Sequence, residues 1–151
     1  MQVNSKSISP GGQFPKRETC EGQDTSPPLA WSGAPPGTRS FALILDDPDA
    51  PGGTFTHWIA WNIPADTHEL GENLPKIAEL ADGARQGRND FGKVGYGGPC
   101  PPAGKPHRYF FRLFALDYAP AVKAGAGRGE LERALQGHTL ARGELMGRYG
   151  R

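Results

Sequence analysis

Carboxylates and an imidazole are concentrated between residues 46 and 57. Asp47 and Asp49 flank Pro48 directly after the apolar run Phe41–Leu45, and His57 follows in the next apolar segment. Carboxylates at the end of a buried strand are costly unless they are paired or used. They can orient nearby imidazoles and favour their charged forms, and a charged imidazole can bind an anion.

A second group of hydrogen-bond donors lies in the loop 95–102 and in the segment after it. Glycines and prolines around Cys100 allow backbone N–H groups to approach a ligand closely, and oriented amides of this kind can hold an anion. His107 and Tyr109 are two residues apart in an apolar segment, so the period of a strand places them on one face. Imidazole, phenol and amide donors together predict an anion-binding pocket.

The same residues admit three other interpretations. Two carboxylates and two histidines could ligate zinc for hydrolysis, although no two of them have the i, i+4 spacing of a metalloprotease helix. Cys100 could act as a nucleophile with His107 or His57 as its base, but we favour a small buried residue at this position. A protease-inhibitory or scaffolding module would use surface loops and leave the pocket residues without a role.

The two cysteines, Cys20 and Cys100, are too few for a disulfide framework. They could form one bond, bind a metal weakly or simply be small buried residues. The sequence leaves these three alternatives open.

The bulk composition is that of a loop-rich β protein. The chain of 151 residues contains 22 glycines and 15 prolines, which punctuate apolar segments, and its length fits one domain over residues 1–151. A net charge of +1 argues against general attraction to nucleic acid or to an anionic membrane. No apolar run approaches the roughly 20 residues of a membrane span, and the polar N-terminus lacks the apolar centre of a signal peptide. We therefore expect a cytoplasmic protein.

Four segments have strand character. The second is apolar on both faces, which is typical of a central strand covered on both sides. In the third, the period of two predicts that His57 shares a face with Ile59 and Trp61. The four segments are Leu29–Trp31, Ser40–Leu45, Thr54–Ile63 and His107–Asp117.

One long segment has helical periodicity. Apolar residues from Leu131 to Leu145 recur at helical spacing, with His138 on the same stripe. This pattern predicts a helix over Gly129–Gly147 and places His138 in the core. A weaker pattern predicts a short helix near Leu74–Leu80.

Several of these segments, taken in order and spacing, resemble the phosphatidylethanolamine-binding protein family, also called the Raf kinase inhibitor protein family. The Gly-Pro-Cys-Pro-Pro form of one loop is similar to the bacterial and archaeal branch. The resemblance covers about residues 10 to 151. It rests on Ser26–Trp31, Asp47–Pro51, His57–Trp58, Gly95–Pro102, His107–Tyr109 and the tail Gly137–Tyr149.

The resemblance implies a mainly β fold of two antiparallel sheets with Greek-key connections, a C-terminal helix and minor peripheral helices. It also implies a small pocket that binds anions such as phosphate or the phosphoryl headgroup of a lipid, with no cofactor, no metal and no catalysis. An ammonium beside the phosphate would find partners in the carboxylates. A regulatory protein partner, such as a kinase or protease, and a homodimer are compatible with it. The matching pocket positions are Asp47, Asp49, His57, Gly98, Cys100, Pro102, His107 and Tyr109.

Overall fold

Strands account for most of the regular structure, as the sequence predicts. The computed structural model describes all 151 residues and contains eight β-strands, one α-helix and a short 3-10 helix at Lys16–Glu18. In chain order the elements are β1 Gln2–Asn4, β2 Leu29–Ser32, β3 Ser40–Asp47, β4 Phe55–Pro64, β5 Glu69–Leu70, β6 Arg85–Gln86, β7 His107–Leu116, α1 Arg128–Leu135 and β8 Thr139–Tyr149.

The strands form two antiparallel sheets. The smaller has the order β1-β2-β5 and the larger the order β6-β4-β3-β7-β8. β3 lies in the middle of the larger sheet, and all eight of its residues are buried. The side chains of β3 are apolar on both faces because each face contacts a different hydrophobic cluster.

Two hydrophobic clusters lie on opposite faces of the larger sheet. The main cluster fills the space between the sheets and includes Trp31, Phe41 and Trp58. The second lies beneath α1, where Leu131 and Leu135 pack against residues of β3 and β4. Burial of these large side chains is the main favourable contribution to folding.

The predicted helix over Gly129–Gly147 is wrong in its second half. α1 ends at Leu135, and Gly137 adopts a left-handed φ of +78° that turns the chain into β8. β8 then pairs with β7 along its whole length. Apolar residues at 141, 145 and 149 fit a strand as well as a helix, and a Cβ on Gly147 would lie 2.7 Å from the Phe14 ring. Pairing with β7, rather than helix propensity, governs this segment.

His138 is not in the core. Its ring is half-exposed, stacks on Tyr118 at 4.0 Å and places Nδ1 2.7 Å from Asp117 Oδ1. The predicted helix near Leu74–Leu80 is also absent, because this stretch is irregular. The only α-helix has eight residues, which is far too few to cross a membrane.

β4 contains two irregularities that change which face its side chains occupy. Leu45 pairs with Trp58 but Asp46 pairs with Thr56, so His57 is an extra residue in a β-bulge. A second register shift accompanies Asn62, whose φ is +54°. Consequently the predicted common face of His57 with Ile59 and Trp61 is wrong, since those two pack beneath α1 while His57 faces the other side.

Candidate functional site

A pocket of about 200 Å³ opens where the end of β3, the start of β4 and the start of β7 meet the loop 99–102. Six of the eight predicted site residues line it: Asp47, His57, Cys100, Pro102, His107 and Tyr109. The rest of the wall is apolar and is formed by Ala50, Pro51, Phe55, Phe91 and Pro101. The structure therefore brings residues far apart in the sequence into one small concave site.

Asp49 and Gly98 do not line this pocket. The Asp49 carboxylate accepts two hydrogen bonds from the Arg108 guanidinium, each at 2.9 Å, and one from the Arg108 backbone N–H at 3.0 Å. These bonds lower the pKa of Asp49 to about 2. The N–H of Gly98 donates to Asp24 Oδ1 at 2.8 Å and lies in a neighbouring cleft. Both groups hold the loops that surround the pocket.

Asp47 orients His107. Its Oδ2 atom lies 2.7 Å from His107 Nδ1, and its Oδ1 accepts the backbone N–H of Asp49 at 2.8 Å. The Asp47 side chain is only 4% exposed, so this carboxylate is well protected from water. An ionised carboxylate only accepts hydrogen bonds, so the proton of the His107 ring is on Nδ1. Its Nε2 atom has no partner within the protein.

His57 is held by a backbone carbonyl rather than by a carboxylate. Its Nδ1 donates to the Gly97 carbonyl oxygen at 2.7 Å, which places the ring proton on Nδ1 and leaves Nε2 free. Burial lowers the pKa of His57 below 6.5, and the bond to Gly97 opposes this only in part. The prediction that aspartates orient both histidines therefore holds for His107 alone.

Tyr109 completes the polar part of the pocket. It is fully buried, and its ring lies 5.3 Å from the His57 ring and 6.4 Å from the His107 ring, measured between centroids. Burial, together with the charge of Asp47, raises the pKa of Tyr109 well above 10. The hydroxyl therefore stays protonated. The carboxylate of Asp47 lies close enough to interact with it, but no hydrogen bond of good geometry joins the two, so the hydroxyl can turn to donate to a ligand.

The two hydrolase alternatives lack structural support. No three His, Cys, Asp or Glu side chains come close enough together to hold a metal ion. Cys100 is half-buried and bonded to Cys20, with an S–S distance of 2.06 Å, so its sulfur is not a free nucleophile. Of the three alternatives for the cysteines, a single disulfide bond is the one observed, and the favoured small buried residue at position 100 is wrong.

The sequence did not identify the aromatic wall or the carbonyl that positions His57. Phe55 and Phe91 pack together at 4.8 Å between ring centroids, and both lie against the His57 ring. A Cβ on Gly97 would lie 2.6 Å from Phe91, so only glycine allows this backbone to pass beneath the ring. In the sequence, only the two-residue spacing of Phe55 and His57 indicated that an aromatic side chain would lie beside this histidine.

Comparison with known proteins agrees with this architecture. Residues 4–150 match the family described as phosphatidylethanolamine-binding protein. A UPF0098 protein of Aquifex aeolicus is 50% identical and a UPF0098 protein of Methanothermobacter thermautotrophicus is 47% identical. Both alignments cover 100% of this chain, with 89% and 99% of the respective relative.

Solved structures give the same result. YbcL from E. coli, a member of the mammalian PEBP family, has a TM-score of 0.92 and 40% identity over 99% of this chain and 98% of its own. A homologue of phosphatidylethanolamine-binding protein from Chlamydia trachomatis has a TM-score of 0.90 and 37% identity over 99% and 97% of the two chains. The chain described here belongs to the phosphatidylethanolamine-binding protein family.

Proposed function

We propose that the pocket binds a small anion or the phosphoryl group of a larger ligand. The observation that supports this most strongly is the convergence of three polar atoms that make no hydrogen bond of good geometry within the protein: Nε2 of His57, Nε2 of His107 and the hydroxyl of Tyr109. A few convergent polar groups in a small cleft with a mostly apolar wall are typical of a ligand site. The name of the family supports a phosphoryl headgroup as one such ligand.

The tautomers of the two histidines determine how an anion binds. In their neutral forms both rings carry the proton on Nδ1, so both Nε2 atoms are acceptors. An acceptor repels an anionic oxygen that has no proton of its own. Binding therefore requires a proton on each Nε2 atom, taken up by the ring or supplied by an acidic ligand such as dihydrogen phosphate. Only the Tyr109 hydroxyl donates without this step.

Replacement of Tyr109 by phenylalanine tests the proposal without disturbing the fold. The hydroxyl makes no hydrogen bond of good geometry within the protein, so the variant Tyr109→Phe keeps the packing of the buried ring. We expect its affinity for inorganic phosphate, measured by calorimetry at pH 6, to fall about tenfold, as for loss of one hydrogen bond to a charged group. The matched control is Tyr118→Phe, which removes a hydroxyl bonded to the Ala134 carbonyl outside the pocket. Equal phosphate affinity in all three proteins would argue against the proposal.

The pocket contains no free carboxylate for an ammonium group. Asp47 is the only acidic residue in its lining and already binds His107 and the backbone of Asp49, while Asp49 is bound to Arg108. We therefore propose, in contrast to the interpretation of the sequence, that neither carboxylate receives an ammonium beside the phosphate. We expect phosphoethanolamine and methyl phosphate to bind with affinities within about threefold of each other, a difference of less than 1 kcal/mol. A tenfold preference for phosphoethanolamine in the same calorimetric titration would show that a carboxylate does bind the ammonium.

A regulatory protein partner and a homodimer are further parts of this proposal. A partner of this kind, such as a kinase or a protease, is not required to explain which residues line the pocket. Anion binding and protein binding can be separated experimentally, because Tyr109→Phe alters a fully buried side chain and leaves the protein surface unchanged.

A further inference from the structure

The disulfide bond lies in the wall of the pocket. Cys100 lines the cavity, and its partner Cys20 lies on the exposed loop that follows the 3-10 helix. The two residues are 80 positions apart, so the bond fixes one rim of the pocket to a distant part of the chain. Near the bond, the N–H of Cys20 donates to the Pro99 carbonyl at 3.1 Å.

A guanidinium lies against the sulfur atoms. Arg151 Nη2 is 3.3 Å from Cys100 Sγ and 3.8 Å from Cys20 Sγ, and Arg151 Nε donates to the Pro101 carbonyl at 2.7 Å. A positive charge beside a sulfur atom stabilises the thiolate form, and a thiolate that is stabilised in this way is a good leaving group in thiol–disulfide exchange. The charge is closer to Cys100 than to Cys20.

From this arrangement we propose that the Cys20–Cys100 bond is a redox switch that controls anion binding in the pocket. The inference rests on the proposed function of the pocket and adds its regulation. In the oxidised protein the rim is tied in place and its two sulfur atoms are uncharged. In the reduced protein the rim is released, and Cys100 carries a thiolate charge in the wall of a site that binds anions.

The exchange needs an external dithiol and proceeds in two steps. A thiolate of the dithiol attacks the Sγ of Cys20, an exposed residue, which breaks the Cys20–Cys100 bond and releases Cys100 as a thiolate beside Arg151. The second thiolate of the reagent then attacks its own sulfur in the mixed disulfide, releasing Cys20. The protein gains two electrons, and the dithiol becomes a cyclic disulfide. Thioredoxin-type dithiols and dithiothreitol both belong to this chemical class.

Both consequences of reduction weaken anion binding. A thiolate at Cys100, which lines the pocket, repels a bound phosphate, because two like charges then share one small, partly buried site. Loss of the bond also allows residues 100–102 to move, although the bonds from Cys20 to Pro99 and from Arg151 to Pro101 still retain part of the loop. A cytosolic disulfide is usually transient and redox-sensing, so the predicted cytoplasmic location is compatible with this role.

The test compares phosphate binding in the oxidised protein, in the protein reduced with dithiothreitol and in the double variant Cys20→Ser/Cys100→Ser. We expect reduction to weaken phosphate affinity about tenfold at pH 7, with the guanidinium of Arg151 favouring the thiolate form of Cys100, and reoxidation to restore it. The double variant has no bond and no thiolate, so its affinity should lie between the two and should not respond to dithiothreitol. Far-UV circular dichroism confirms that each form is folded.

Each outcome of this experiment has a distinct meaning. Equal or tighter binding after reduction would overturn the switch while leaving the proposed function intact. A response of the double variant to dithiothreitol would also overturn it. Absence of phosphate binding in the oxidised protein would overturn the proposed function itself.

A second variant tests the chemical role of Arg151. In Arg151→Gln the disulfide remains but the positive charge is lost, so we expect reduction by dithiothreitol at pH 7 to be several times slower than in the unaltered protein. Arg148→Gln is the matched control, because it removes one exposed positive charge from β8, three residues before Arg151, and Arg148 does not contact sulfur. Equal reduction rates in all three proteins would show that Arg151 does not assist the exchange.

Discussion

Phosphate affinity should rise by one to two orders of magnitude as the pH falls from about 8 to about 5.5. The Nε2 atoms of His57 and His107 accept hydrogen bonds when neutral and donate them when protonated, so binding is coupled to proton uptake. A coupled proton changes the affinity by up to about tenfold per pH unit. Calorimetric titration at several pH values measures this directly, and an affinity that stays constant between about pH 8 and pH 5.5 would contradict the account.

The direction of this effect follows from the burial of His57. Burial lowers the pKa of this histidine below 6.5 in the free protein, whereas a bound anion stabilises the imidazolium and raises the pKa in the complex. Affinity therefore increases as the pH falls through the pKa of the complex, and it levels off below the pKa of the free protein. Sulfate serves as the control ligand for phosphate, because it remains fully ionised over this pH range and brings no proton of its own.

Removal of the buried carboxylate of Asp46 should cause the largest loss of stability. Asp46 lies beside Asp47 on the opposite face of β3, and its side chain is 2% exposed. Its oxygens bind Arg112 at 3.1 Å and Arg128, the first residue of α1, at 2.9 Å. In Asp46→Asn two partly buried guanidinium groups lose their buried anionic partner and keep only the exposed carboxylates of Glu144 and Glu132. Because those groups can still reach water, we expect a loss of about 2 to 3 kcal/mol, at or below the usual range for breaking a buried ion pair.

The control for this variant is Glu144→Gln. Like Asp46→Asn, it removes one negative charge that contacts Arg112, since Glu144 Oε2 lies 3.1 Å from that guanidinium. The side chain of Glu144, however, is 53% exposed. An exposed ion pair contributes little, so we expect a loss below about 1 kcal/mol. Urea unfolding at pH 7 compares the two variants. Equal losses would show that Asp46 contributes no more than an ordinary surface charge.

Regular strands explain why much of the site was predictable. In β7 the period of two holds without interruption past His107 and Tyr109, and the structure places both in the pocket. Asp47 was predictable for a similar reason, because β3 continues two residues beyond its apolar run with side chains still alternating. The sequence did not show that Asp46 faces the opposite side of the sheet, where it binds Arg128 at the start of α1.

The remaining features depend on contacts between distant residues. The bulge at His57 is a property of the pairing of β4 with β3, and a period of two cannot anticipate an extra residue. The helical pattern after Leu135 is equally compatible with β8, and pairing with β7 decides between them. The Cys20–Cys100 bond joins residues 80 positions apart, and only the fold brings them together. In each case tertiary structure overrides a local pattern.

The most direct test of the account is a crystal structure grown at pH 6 with phosphate. We predict one phosphate in the pocket, with its oxygens within hydrogen-bonding distance of His57 Nε2, His107 Nε2 and the Tyr109 hydroxyl. The Nδ1 atoms should retain their bonds to Gly97 and Asp47. A pocket that contains no phosphate under these conditions, or a metal ion bound by these histidines and Asp47, would contradict the proposal that this protein binds anions.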